Sequence, residues 1–61
     1  MGYQRARRAR IYQDRTGNWR YRIQGGNWRT IDAPEESFNR KSTARRRVEQ
    51  RWPNVEEIIE E

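Results

Sequence analysis

The seven residues "NWRYRIQ" (18–24) restrict this chain more than any other segment. Trp19, Tyr21 and Ile23 alternate with Arg20, Arg22 and Gln24. A period of two, with bulky and β-branched types on one side, marks a strand with one dry face and one wet face. A helix would scatter the same residues around its circumference. Gly17 precedes the segment and Gly25–Gly26 follow it, so the strand is expected between two tight turns. The word "GNWR" occurs at 17–20 and again at 26–29. Each copy follows a glycine turn and opens a strand, and copies this short do not signal a repeat architecture.

The neighbouring segments extend the pattern. "RARIYQD" (8–14) reads as a first strand, with Ala9, Ile11 and Gln13 on one face and Arg8, Arg10 and Tyr12 on the other. "WRTIDA" (28–33) reads as a third, with Arg29, Ile31 and Ala33 opposite Trp28, Thr30 and Asp32. Trp28 competes with Ile31 for the core side there, and a bulge at Gly25–Gly26 would exchange them. Pro34 ends the strand. Asn39 is an N-cap for a helix over about 40–52, with Phe38 as its hydrophobic staple and Pro53 as its stop. Ala44, Val48 and Trp52 form the apolar stripe of that helix. Asn54 then caps a short helix over about 55–60, with Glu56 and Glu57 at its positive end and Val55, Ile58 and Ile59 on its apolar side.

The expected fold is α+β: a three-stranded antiparallel sheet packed on one α-helix (βββα), with a short C-terminal helix. Residues 1–7, "MGYQRAR", have no period and are expected as a flexible basic arm before a single domain, 8–61. With 61 residues, 31% of them hydrophobic, the few large side chains must form nearly the whole core. That core is expected from Ile11, Trp19, Tyr21, Ile23, Ile31, Phe38, Ala44, Val48 and Trp52, and Val55, Ile58 and Ile59 either extend it or form a separate sticky patch.

Charge points to function. Residues 1–51 hold fourteen basic and five acidic groups, a surplus of nine positive charges. Residues 52–61 hold four glutamates and no base. A basic body of this kind favours polyanions, above all nucleic acid. Thirteen of the fourteen cations are arginine, whose planar fork suits phosphate and guanine. The outward sheet face would place Arg20, Arg22, Gln24, Tyr12, Trp28 and Thr30 against bases, as a sheet seated in a major groove does. Arg5, Arg7, Arg8 and Arg10 from the arm and first strand, with Arg45 and Arg46 from the helix, would contact phosphates. A solvated face and a solvated helix account for the same arginines equally simply. The acidic tail would pair with a neighbour's arginines, or compete with DNA for the basic face.

The order strand–turn–"NWRYRI"–"GG"–strand–"FNRKSTARRRVEQ" resembles the small three-stranded-sheet-plus-helix DNA-binding domains over about residues 5–52. These include the arm-binding domains of phage and conjugative-transposon tyrosine integrases and the plant ethylene-response-type domain. The Met-Gly start and Arg-rich arm, "MGYQRARRAR", are similar to some phage integrases. The resemblance implies a sheet in the major groove, with Arg20, Arg22 and Thr30 facing bases. "IYQDRTGNWRYRI" and "SFNRKSTARRRVE" also resemble the YegP-like family, which has no firmly assigned activity and often occurs as tandem repeats or dimers. The arginines on the helix depart from that family's small polar helix surface.

An enzyme is not expected. The chain has no histidine and no cysteine, and it offers no nucleophile–base pair, metal cluster or phosphate-cradling glycine loop. No cofactor, metal or small-molecule substrate is expected, and no apolar run is long enough to span a bilayer. The expected partner is double-stranded DNA, in the cytoplasm of a bacterial host carrying the phage or mobile element, at its nucleoid. The alternatives are a homodimeric interaction module with an acidic partner, or an RNA-binding module that stacks bases on Trp28 and Tyr12.

Overall fold

The computed structural model describes residues 5–61. It contains β1 (Arg8–Gln13), β2 (Trp19–Gln24), β3 (Thr30–Asp32), α1 (Lys41–Arg51) and β4 (Glu57–Glu60). The strands form one sheet in the order β3-β2-β1-β4. β2 is antiparallel to both β1 and β3, whereas β4 runs parallel to β1. The architecture is therefore α+β, but the sheet is four-stranded and mixed rather than three-stranded and antiparallel.

The short C-terminal helix is the main correction: residues 57–60 form β4. Ile58 sits beside Ala9 and packs on the core, and Ile59 sits beside Arg10. Strand β1 would otherwise be an edge with unpaired N–H and C=O groups. Covering that edge satisfies the backbone groups of both strands, while an isolated helix of one or two turns gains little cooperativity. The Glu61 N–H still donates to the Ile11 carbonyl, at 2.9 Å.

The inward face is as the alternation predicts. Ala9, Ile11, Tyr21, Ile23, Ala44 and Val48 are fully or almost fully buried, and Trp19, Ile31, Phe38, Trp52, Val55 and Ile58 pack around them. Helix α1 lies against β1 and β2 through Ala44 and Val48. Its start differs from expectation. Arg40, not Asn39, is the N-cap, with extended backbone and no side-chain cap hydrogen bond. Phe38 explains the shift, because it forms a two-way backbone bridge with Trp19 (2.7 and 2.9 Å) and continues the sheet edge beyond short β3. At the other end the Trp52 N–H reaches the Val48 carbonyl at 2.7 Å, one residue before Pro53.

The two "GNWR" copies do not occupy equivalent positions. In the β1–β2 loop, the Gly17 N–H donates to the Asp14 carbonyl (3.1 Å) and the Asp14 N–H to the Asn18 carbonyl (2.8 Å). In the β2–β3 loop, the Trp28 N–H donates to the Gly25 carbonyl (3.2 Å) and the Gly25 N–H to the Arg29 carbonyl (2.8 Å). The loops share one hydrogen-bond pattern, and its left-handed position holds Gly17 (φ 90°) in the first and Trp28 (φ 61°) in the second. The words are thus offset by two residues relative to the turn. Trp28 is a turn residue and not part of the third strand, which begins only at Thr30. A left-handed tryptophan costs about 1–2 kcal/mol that glycine avoids. The register slip lies between Ile23 and Gln24 on one side and Thr30 and Asp32 on the other. Ile31 is the extra residue of that bulge, rather than Gly25–Gly26.

Of the segment expected as an arm, residues 1–4 lie outside the described residues. Arg7 already continues the sheet, donating its N–H to the Gln24 carbonyl at 2.9 Å, and Ala6 packs on the core. Among the described residues no helix is long and apolar enough to cross a membrane.

Candidate nucleic-acid interface

Helix α1 covers one face of the sheet and leaves the other open. Alternation in β1 and β2 dictates what that open face carries. Register brings Arg8 opposite Gln24, Arg10 opposite Arg22 and Tyr12 opposite Arg20. Glu57 lies beside Arg8 and Ile59 beside Arg10, on the same side.

The Arg10–Arg22 pair is at the centre. Like charges directly opposite one another across a sheet repel. Arg10 relieves its share by pairing with Glu61, with Nε 2.9 Å from the carboxylate. Arg22 has no carboxylate partner among the described residues. Its guanidinium lies over the Tyr12 ring at 4.8 Å, a cation–π contact that leaves the charge unneutralised. Arg10, Tyr12, Gln13, Arg22 and Glu61 line a shallow depression of about 250 Å³.

The other expected base-contact residues fare differently. Arg20 is held at the end of the face, where Nη2 donates to the Glu35 carbonyl at 2.8 Å and Nε lies 3.9 Å from Asp14. Asp14 is itself fixed by the Thr16 hydroxyl (2.6 Å) and by the N–H groups of Thr16 and Asn18. The Thr16 hydroxyl, foremost, with both N–H groups and the Arg20 charge, lowers the Asp14 pKa against the opposing effect of burial. Gln24 was expected to read a base, but it is only 6% exposed. It lies opposite Arg8, and its amide donates to the Trp28 carbonyl, at 3.5 Å. Thr30 is exposed, opposite Gln24. Trp28 is exposed and lies outside the strands, closing the β2–β3 turn through its N–H.

The phosphate-contact arginines show a feature that sequence periodicity missed. Glu56 bridges Arg5 and Arg7, one carboxylate oxygen to each, at 3.1 Å. Glu57 lies 3.8 Å from Arg8, whose side chain is only 12% exposed. Glu61 takes Arg10, and Glu60 reaches over to Lys41 and Arg45 on the helix. Of the six arginines expected on phosphates, Arg46 alone forms no ion pair among the described residues. A helical reading of 55–60 hid this arrangement, because only a strand beside β1 brings each glutamate alongside a basic residue. Arg15, Arg29, Arg40 and Arg51 also lack ion pairs among the described residues. They sit in turns or at helix positions, where alternation gives no signal. No family model matches the chain, and no curated protein or solved structure matches it either.

Proposed function

We propose that this chain is a small double-stranded DNA-binding protein, a binding module rather than an enzyme, which lays the open face of its sheet in the major groove. The observation that carries the reading is the central pair Arg10–Arg22, with one cation unneutralised on an aromatic ring and no covering element above it among the described residues. Bidentate hydrogen bonds from Arg22 to a guanine edge would supply the missing acceptors. Arg46 on the helix and the turn residues Arg15 and Arg29 would contact phosphates. Arg20 contributes only after leaving the Glu35 carbonyl, so it is secondary to Arg22. Phage or mobile-element origin and action at a bacterial nucleoid remain part of this proposal, supported by the Arg-rich start and the charge balance.

Fluorescence anisotropy of labelled duplexes across a salt series tests it. The affinity should fall steeply with salt, by a slope of about −0.9 for each phosphate neutralised. Arg22→Ala should weaken a selected site by about tenfold and random duplex less, since a bidentate pair discriminates by about 1–3 kcal/mol. Binding that is absent at low salt, or indifferent to Arg22, sinks the reading.

A further inference from the structure

Trp28 is the residue that the fold does not require as it stands. The β1–β2 loop shows that the same turn closes with glycine at this position, at φ 90°, whereas Trp28 adopts φ 61°. A bulky side chain held in a sparsely populated conformation motivates a functional hypothesis. Burial offers no compensation, since Trp28 is the exposed large hydrophobic of the described residues, at 59%. Yet the indole is braced. The Arg8 guanidinium covers one face, 3.7 Å from the ring centroid. Arg8 is in turn fixed by donation to the Gly25 carbonyl at 3.0 Å and by Glu57 at 3.8 Å. The result is a rigid aromatic plane, backed on one side and exposed beyond it.

Its surroundings restrict the ligand. Arg29 is adjacent and exposed, and Nη1 of Arg7 lies beside Gly26, 3.7 Å from where a Cβ would stand. A cationic ligand is repelled by this setting, so the plane is not a cage for an ammonium group. An aromatic plane flanked by guanidinium groups suits a nucleotide, with its base on the indole and its phosphate on arginine. Bases inside a duplex hide their faces in the stack. We infer that Trp28 is a stacking site for an unpaired nucleobase, so that the chain favours duplex DNA with a single-stranded flank over a blunt duplex. This rests on the nucleic-acid reading above and adds a second, distinct contact to it.

The test compares one labelled duplex in three forms: blunt, with a short thymidine overhang, and with an abasic overhang of equal length and charge. The thymidine overhang should bind about tenfold tighter than the abasic one, the scale of one base–aromatic stack. Trp28→Gly should erase that difference while leaving the thermal midpoint unchanged or raised, because glycine accepts this backbone. Trp28→Phe should retain part of the preference. Equal affinity for thymidine and abasic overhangs in the unmodified protein overturns the inference, even if blunt duplex binds well. A blunt duplex that fails to bind, beside a thymidine strand that binds through Trp28, instead overturns the sheet-face reading and leaves this one standing.

Discussion

Tyr21 puts a hydroxyl into a core that offers it nothing. It is 1% exposed, and its Oη finds no partner among the described residues. Burial, with the Glu36 charge second, raises its pKa. A raised folded value means stability that is complete below the unfolded tyrosine value and lost as pH rises through the folded one. Tyr21→Phe should therefore be as stable as the parent or up to about 1 kcal/mol more stable in thermal melts, and should lose part of the alkaline sensitivity. Asp14 works with the opposite sign. Its folded value is lowered, foremost by the Thr16 hydroxyl, so its contribution exists above the ordinary aspartate value and disappears as pH falls through the depressed one. Asp14→Ala should lower the urea midpoint at neutral pH, and the deficit should shrink in strong acid. A deficit that persists unchanged there would assign it to lost turn geometry rather than to charge.

Strand β4 and the Trp19–Phe38 bridge decide the elements. Each supplies backbone partners where a long neighbouring strand would otherwise present an edge. The Glu61 amide should be protected in hydrogen exchange through its bond to Ile11, and residues 57–60 should show strand-type carbon chemical shifts. Helical shifts there would refute the four-stranded sheet. Ile58→Ala should cost about 2 kcal/mol, at the low end of the range for losing an isoleucine side chain, because Ile58 is only partly buried. The loss should appear first as faster exchange in β4, ahead of global unfolding. In α1 the uncapped start is the weak point. Arg40→Asp should place a carboxylate at its positive end and stabilise the helix by about 1 kcal/mol, measured by thermal melting.

The whole molecule carries its own polyanion. Strand β4 lays Glu57 along β1, while Glu56 and Glu61 at its flanks engage the arginines at either end of the basic edge. The pairs of Glu56 and Glu61 are partly exposed and the Arg8–Glu57 pair is long, at 3.8 Å, so each contributes little to stability and exchanging these carboxylates for phosphates is inexpensive. The triple change Glu56→Gln, Glu57→Gln, Glu61→Gln should tighten duplex binding and steepen its salt dependence, with little change in melting temperature. An unchanged affinity would show that Arg5, Arg7, Arg8 and Arg10 do not meet the DNA. Short-range pattern made much of this molecule legible: alternation in 18–24 set the faces of β2, Gly17 marked the first turn, and the Ala44–Val48 spacing set the buried stripe of α1. Those features depend on residues within a few positions of one another. The tertiary structure alone decided that 57–60 extends beside β1, that Trp28 leaves the sheet for a turn, and that Gln24 is buried beside the Trp28 carbonyl. Each depends on a partner distant in sequence or on a two-residue offset between two identical words, and local propensity carries no information about either.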